Sequence, residues 1–168
     1  MKVDELRTLF DYYYWAFDRV WECASQISDE QFVQDIDYST GSIRHIMVHV
    51  MSGNRSWMSV LRGTEFPSRL LIEDFGTLVK TKAKWNELQA EFLANLDCFD
   101  QEQLDGTIDW ELFSHNMKAT NFRWEILLHL ANHGTDHRAQ NLAILHHHFH
   151  VKTVEQDMMI YFAERTQK

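Results

Sequence analysis

Apolar residues recur at steps of four and three at Leu6, Phe10, Tyr13, Phe17, Val20, Ala24 and Ile27, and this spacing predicts an amphipathic helix over 3–26. A second run, Ile43, Ile46, Met47, Val50, Trp57, Val60 and Leu61, predicts a helix over 41–62, preceded by turn and N-cap chemistry in "SDEQF" and "DYST". Gly63 suits its C-terminus, and Pro67 in "RGTEFPSRLL" argues for a loop beyond it. A third run, Phe75, Leu78, Trp85, Leu88, Phe92, Leu96 and Phe99, predicts a helix over 74–98. Between Asp105 and Thr120 the helical period is lost. There Gly106, Thr107, Ile108, Trp110 and Phe113 fit a long connection or a short hairpin. A fourth helix is predicted from Thr120 or Asn121 to about His148, and Met158, Tyr161 and Phe162 mark a short amphipathic helix after it.

These elements predict an all-α fold: a four-helix bundle with a short C-terminal helix, in one domain over 1–168. The short connection between the first and second helices suits antiparallel neighbours, whereas that between the third and fourth is long enough for a crossover. Six glycines and one proline leave few helix breakers, in keeping with long helices. A net charge of -9 and the absence of any basic run exclude nucleic acid as an expected partner. Cys23 and Cys98 stand far apart and form no paired motif, so they read as reduced packing residues. The N-terminal stretch has no apolar signal core, and nowhere do about 18 apolar residues follow one another. The expectation is a cytoplasmic protein with no membrane partner.

The helical pattern in "LLHLANHGTDHRAQNLAIL" contains His129, His133 and His137 at intervals of four. At about 100° per residue, His133 and His137 fall within the apolar stripe of Ile126, Leu130 and Ile144. On the second helix, His49 borders the apolar face and His45 points outward. Gly53, one turn beyond His49, leaves space for an ion, water or substrate. Two histidines at i and i+4 can converge on one metal ion, and a third from a facing helix completes a three-nitrogen set. His49 is the leading candidate for that third ligand. The plainer alternative is a set of hydrogen-bonded core histidines, since one such pair arises readily among ten histidines. His129 is assigned to a supporting or aromatic-layer role, and "HHHFH" at 146–150 to a helix end.

The chain resembles the DinB/YfiT-like family of metal-dependent four-helix-bundle proteins. "LFDYYYWAFDRV" is similar to its first helix, "STGSIRHIMVHVMSGNRSWMSVLRG" to its second and "LLHLANHGTDHRAQNLAIL" to its signature helix. The resemblance implies a bundle with a long crossover and a divalent metal held by His49, His133 and His137, in agreement with the face argument. It departs at Asn54, where many relatives have an acid, and at Ala139, where they have glycine. The family in turn resembles, in fold and histidine triad, thiol S-transferases that use low-molecular-weight thiols and thiol-dependent isomerases.

Three neutral nitrogens leave open positions on a zinc or nickel ion, the pattern of catalytic sites. The expected activity is therefore thiol-dependent S-transfer to small electrophiles, with a low-molecular-weight thiol as cosubstrate. The rivals are a metal-dependent hydrolase and a non-catalytic metal-binding bundle. Tyr13, Asn54, Asp136 and Asn141 are the polar residues weighed as neighbours of the ion; Tyr13, Asn54 and Asp136 are the catalytic candidates. Six Trp, eleven Phe and five Tyr exceed the inward stripes, and Tyr12, Tyr14 and Trp15 flank that of the first helix. From this surplus a homodimer is expected.

Overall fold

The structure, a computed structural model, describes residues 1–112 and 116–167. Phe113, counted above in the connection, lies outside the described residues. The elements run α1 (Val3–Ala24), α2 (Asp29–Val33), α3 (Ile43–Arg62), a 3-10 turn (Ile72–Asp74), α4 (Leu78–Leu96), α5 (Gln101–Asp105), β1 (Thr107–Leu112), β2 (Met117–Phe122), α6 (Arg123–His147) and α7 (Met158–Arg165). The four long helices form the expected bundle and α7 is the expected terminal helix. None of the described helices is long and apolar enough to cross a membrane.

Local chemistry sets the boundaries. Ser42 Oγ accepts the His45 N–H at 3.1 Å and starts α3; Gly63, at φ 63°, ends it in the left-handed conformation that glycine adopts at low cost. Thr77 Oγ1 accepts the Lys80 N–H at 3.2 Å, so α4 begins at Leu78 rather than near 74. The segment "SDEQF", expected as a turn, is instead α2. Ser28 and Gln31 cap it reciprocally, and Phe32 on it is fully buried.

Helix α1 packs on α6 and α4, and α3 packs on the same two, so α1 and α3 lie diagonally across the bundle. This corrects the expectation that the first two helices are neighbours. The connection over 25–42 contains α2, which packs on α3 and carries the chain across. The crossover from α4 to α6 contains α5 and an antiparallel hairpin in which Thr107 pairs with Phe122 and Leu112 with Met117. The second of the two alternatives for this segment is therefore the one found.

The aromatic residues beside the inward stripe of α1 pack within the chain, Tyr14 fully and Tyr12 and Trp15 in part. Tyr14 is buried beside Trp85 and Phe92 of α4, with ring centroids 6.2 and 6.0 Å away. Tyr12 and Trp15 meet Tyr161 of α7 at 5.8 and 5.5 Å. The Tyr12 hydroxyl donates to the Gln156 carbonyl at 2.8 Å, and Trp15 Nε1 donates to Glu164 at 3.0 Å. Tyr12 and Trp15 stay half-buried after these contacts.

Candidate metal centre

Helix α6 carries His133 and His137 one turn apart, and α3 presents His49 to both. The Nε2 atoms of His49 and His133 lie 3.0 Å apart, and those of His137 and His133 3.1 Å apart. One ring nitrogen from each of the three lies within 4.8 Å of the others, and among the described residues no Asp, Glu or Cys joins the group. The cluster spans the bundle surface: His137 is buried, His133 half-buried and His49 exposed. Sequence pattern puts His133 and His137 within an apolar stripe and His49 at the border of another, which by itself suggests a buried site. It is instead anchored in the interior and open to solvent on the α3 side.

Neighbours fix the ring orientations. His137 Nδ1–H donates to Gln140 Oε1 at 2.8 Å, and Ser39 Oγ donates to the same oxygen at 2.7 Å. This bond leaves the Nε2 lone pair of His137 facing the cluster, the arrangement by which an outer residue sets a metal-binding tautomer. Gln140 and Ser39 are absent from the sequence reading. Gln140, three residues beyond His137 on one helix, is the one that spacing alone could have found.

On the other side, Trp110 of the hairpin meets Trp57 edge-on at 5.1 Å, Trp57 meets His129 at 5.4 Å, and His129 meets His133 at 5.7 Å. His129 thus has the aromatic-layer role expected of it. Gly53 also acts at the site, in a way that differs from the expectation. A Cβ there would lie 3.3 Å from His133 Cε1, so the space that glycine leaves is filled by the His133 ring rather than by a ligand.

Three imidazoles packed this way cannot satisfy one another. With His137 Nε2 bare, a proton on His133 Nε2 can serve one neighbour well and leaves Nδ1 without a donor. A proton on Nδ1 leaves lone pairs facing each other. His133 Nδ1 is buried and has no partner among the described residues. A cation at the point the three Nε2 atoms share removes the conflict between lone pairs. Metal–nitrogen distances of about 2.0–2.1 Å place ligand nitrogens about 2.9–3.4 Å apart for angles between square and tetrahedral, which the observed spacings match. The donor set therefore fits a divalent ion.

Burial is the main force on the titration of these rings. It pushes His133 down to about 3, with His137, His49 and His129 adding repulsion against a proton. His49 is lowered by burial and then by His137, and His129 by burial. His133, at least, is neutral at physiological pH and has its lone pair available.

The remaining candidates lie elsewhere in the fold. His45 Nδ1 sits 2.9 Å from Ser42 Oγ and 3.8 Å from the exposed Asp35, away from the cluster, as its outward position implies. Asn54 Nδ2 donates to the Tyr13 hydroxyl at 3.0 Å, and both side chains are buried. Burial drives the Tyr13 phenol far above its ordinary value, so it stays protonated. Asn141 Nδ2 donates to the His137 carbonyl at 3.0 Å, bracing the helix turn rather than facing the cluster. Asp136 is exposed, and none of Tyr13, Asn54 and Asp136 hydrogen-bonds to the three histidines among the described residues. His146, His147, His148 and His150 are exposed at the end of α6 and beyond, outside the cluster.

Comparison with known proteins gives the same frame. Protein DinB of Bacillus subtilis (strain 168) is 25% identical over 166 residues, covering 95% of each chain. The crystal structure of a conserved protein from Enterococcus faecalis matches with a TM-score of 0.61 at 18% identity, covering 87% of this chain and 96% of that one, a likeness of fold. The family model described as DinB family matches residues 1–152, and with a helical bundle carrying a histidine cluster that could hold a metal, the chain belongs to the DinB family.

Proposed function

We propose that His49, His133 and His137 hold one divalent ion, zinc or nickel, with open coordination positions toward solvent, and that the protein transfers a low-molecular-weight thiol to a small electrophile there. The observation that supports this reading is the convergence of three Nε2 atoms, at 3.0 and 3.1 Å, on an edge left open by the exposed His49. A divalent ion in such a donor set lowers the pKa of a thiol or water that it coordinates. In the transfer the thiol sulfur forms the new S–C bond, its proton goes to solvent, and the leaving group departs with the bonding electron pair.

The surroundings favour a thiol over water. Hydrolysis calls for a carboxylate base near the attacking water, and no carboxylate joins the cluster among the described residues. Asn54, where relatives often carry an acid, is bonded to Tyr13. A thiol needs only to lose its proton, for which no protein base is required. Meanwhile Gln140 holds His137, the Trp57–His129 layer holds His133, and the exposed side at His49 admits the substrate.

The test begins with metal analysis of protein prepared without an affinity tag or nickel resin, because "HHHFH" is exposed and would collect metal by itself. One equivalent of metal is expected, reduced by orders of magnitude in His49→Ala, His133→Ala or His137→Ala and unchanged in His45→Ala or His146→Ala. Metal-loaded protein is then given bacillithiol, mycothiol, glutathione or coenzyme A with monobromobimane, beside a panel of esters and amides. Ester or amide turnover without thiol acceleration would replace transfer by hydrolysis. Stoichiometric metal with no turnover at all would leave a non-catalytic metal protein.

A further inference from the structure

A pocket lies on the other side of α3. Met51, Asn54, Arg55 and Met58 sit about 140–240° around that helix from His49, and with α4 they line a half-open pocket of about 140 Å³ that none of the three histidines lines. Met51 and Met58 face Trp85, Leu88 and Phe92 across it. Tyr14, the only α1 residue lining it among the described residues, closes the inner end from between the two helices. The outer end is held in place by the chain that leaves α3. Gly63 turns it back, Thr64 N–H donates to the Ser59 carbonyl at 2.9 Å, and Arg55 Nη1 donates to the Ser68 carbonyl at 3.1 Å.

Size, surface and charge together define the occupant. A cavity of about 150 Å³ accommodates a single benzene ring, so one ring is the scale of ligand that fits, and the apolar Met51, Met58 and Phe92 share the lining with the polar Ser59, Gln89 and Asn95. Methionine sulfur and aromatic edges are favourable partners for an aromatic ring. The charged side chains of the lining are Arg55, Arg62, Glu65 and Glu91, two of each sign, so the mouth offers no net charge to an ion. Inside, Tyr14 is 4% exposed, its hydroxyl bonds no other described residue, and the oxygen is not sealed from solvent. A hydroxyl that reaches the pocket without a protein partner is free to bond a polar substituent of a ligand there.

We propose that this cavity binds an uncharged aromatic molecule of a single ring that carries one hydrogen-bonding substituent, a phenol or close analogue, with the substituent at the Tyr14 hydroxyl. The proposal stands independently of the metal centre, since the two share α3 but no lining residue.

The probe is 4-fluorophenol, followed by fluorine NMR on the full-length protein, both metal-free after chelation and zinc-loaded. Saturable binding of one equivalent is expected, with Kd equal within about twofold in the two preparations. Tyr14→Phe removes one hydroxyl and is expected to weaken 4-fluorophenol about fivefold to tenfold while leaving fluorobenzene unchanged, the size of one net hydrogen bond. Ser59→Leu fills part of the cavity and is expected to abolish binding of both, with circular dichroism reporting a folded chain; Leu88→Phe serves the same purpose if Ser59→Leu unfolds. The proposal is overturned by absence of saturable binding, by binding that requires zinc, by binding undiminished in a folded filled variant, or by equal loss of both probes in Tyr14→Phe.

Discussion

Gly134 lies in the middle of α6, where glycine costs about 1 kcal/mol relative to alanine, and Gly134→Ala would ordinarily stabilise the helix. The structure predicts the opposite. A Cβ at 134 would overlap Tyr13 Cε2 and lie 2.8 Å from Cζ and 3.0 Å from Cδ2. The ring has nowhere to retreat: Tyr13 is 1% exposed, and the rings of Phe10, Tyr14 and Phe17 have centroids 5.6, 4.9 and 4.8 Å from its own. Either α1 and α6 separate by about 1 Å or the ring leaves its rotamer and its bond to Asn54. Overpacking of this kind costs up to about 3 kcal/mol and a lost buried hydrogen bond about 1 more, against the helix gain of about 1. The net destabilisation is about 3 kcal/mol, a fall of about 1.5 M in the urea midpoint for a slope near 2 kcal/mol/M. In a Tyr13→Leu background the colliding atoms are gone, and the cost of Gly134→Ala should drop below about 1 kcal/mol, a coupling of about 2 kcal/mol. Urea unfolding followed by circular dichroism measures all four proteins. A neutral or stabilising Gly134→Ala in the native background, or an equal loss in both backgrounds, would refute the reasoning.

Gly53→Ala is expected to leave stability unchanged or raised by up to about 1 kcal/mol while lowering zinc affinity about tenfold, because a Cβ 3.3 Å from His133 Cε1 displaces the ring by a few tenths of an ångström; titration calorimetry that finds native affinity would remove this role. Gln140→Ala should weaken zinc about tenfold to a hundredfold by freeing His137, with Gln140→Glu recovering part of the loss, and a native Kd in Gln140→Ala would show that the orientation is set elsewhere. In the metal-free protein, His133 is held down to about 3 while the unfolded ring titrates at about 6.5, so the unfolded chain takes up the proton first. The stability from a neutral His133 is then full above about pH 6.5 and is lost as the pH falls from there toward 3; at pH 5.5 the loss is about 1 kcal/mol once partial exposure of the ring is allowed for. Urea midpoints of native protein and His133→Phe across this range test the sign, and parallel curves would contradict it.

Helical period reveals which side of a segment is apolar, and that was enough to find α1, α3, α4 and α6 within a few residues of their ends. It does not say which neighbour covers the apolar side. The stripe of α1 would look the same whether it met α3 or, as it does, α4 and α6. Helix α2 is too short for a period, and its one signal, the Ser28-x-x-Gln31 capping box, uses the same residues as turn chemistry. The same limit applies at the histidine cluster. An angle on a helical projection brings His49, His133 and His137 to one side, but it carries no depth, so it could not distinguish a sealed site from one exposed at His49. Gly53 shows the limit most sharply. An absent side chain registers in sequence as free volume, while the group that occupies the volume comes from a helix about eighty residues away, and only packing of α3 against α6 puts the His133 ring there. Glycine at 53 is accordingly a requirement imposed by the His133 ring rather than a vacancy for a ligand, and Gly134 is the same kind of requirement imposed by Tyr13. The two glycines together seat α6 closely against α3 and α1, which is what brings histidine nitrogens from separate helices to 3.0 Å.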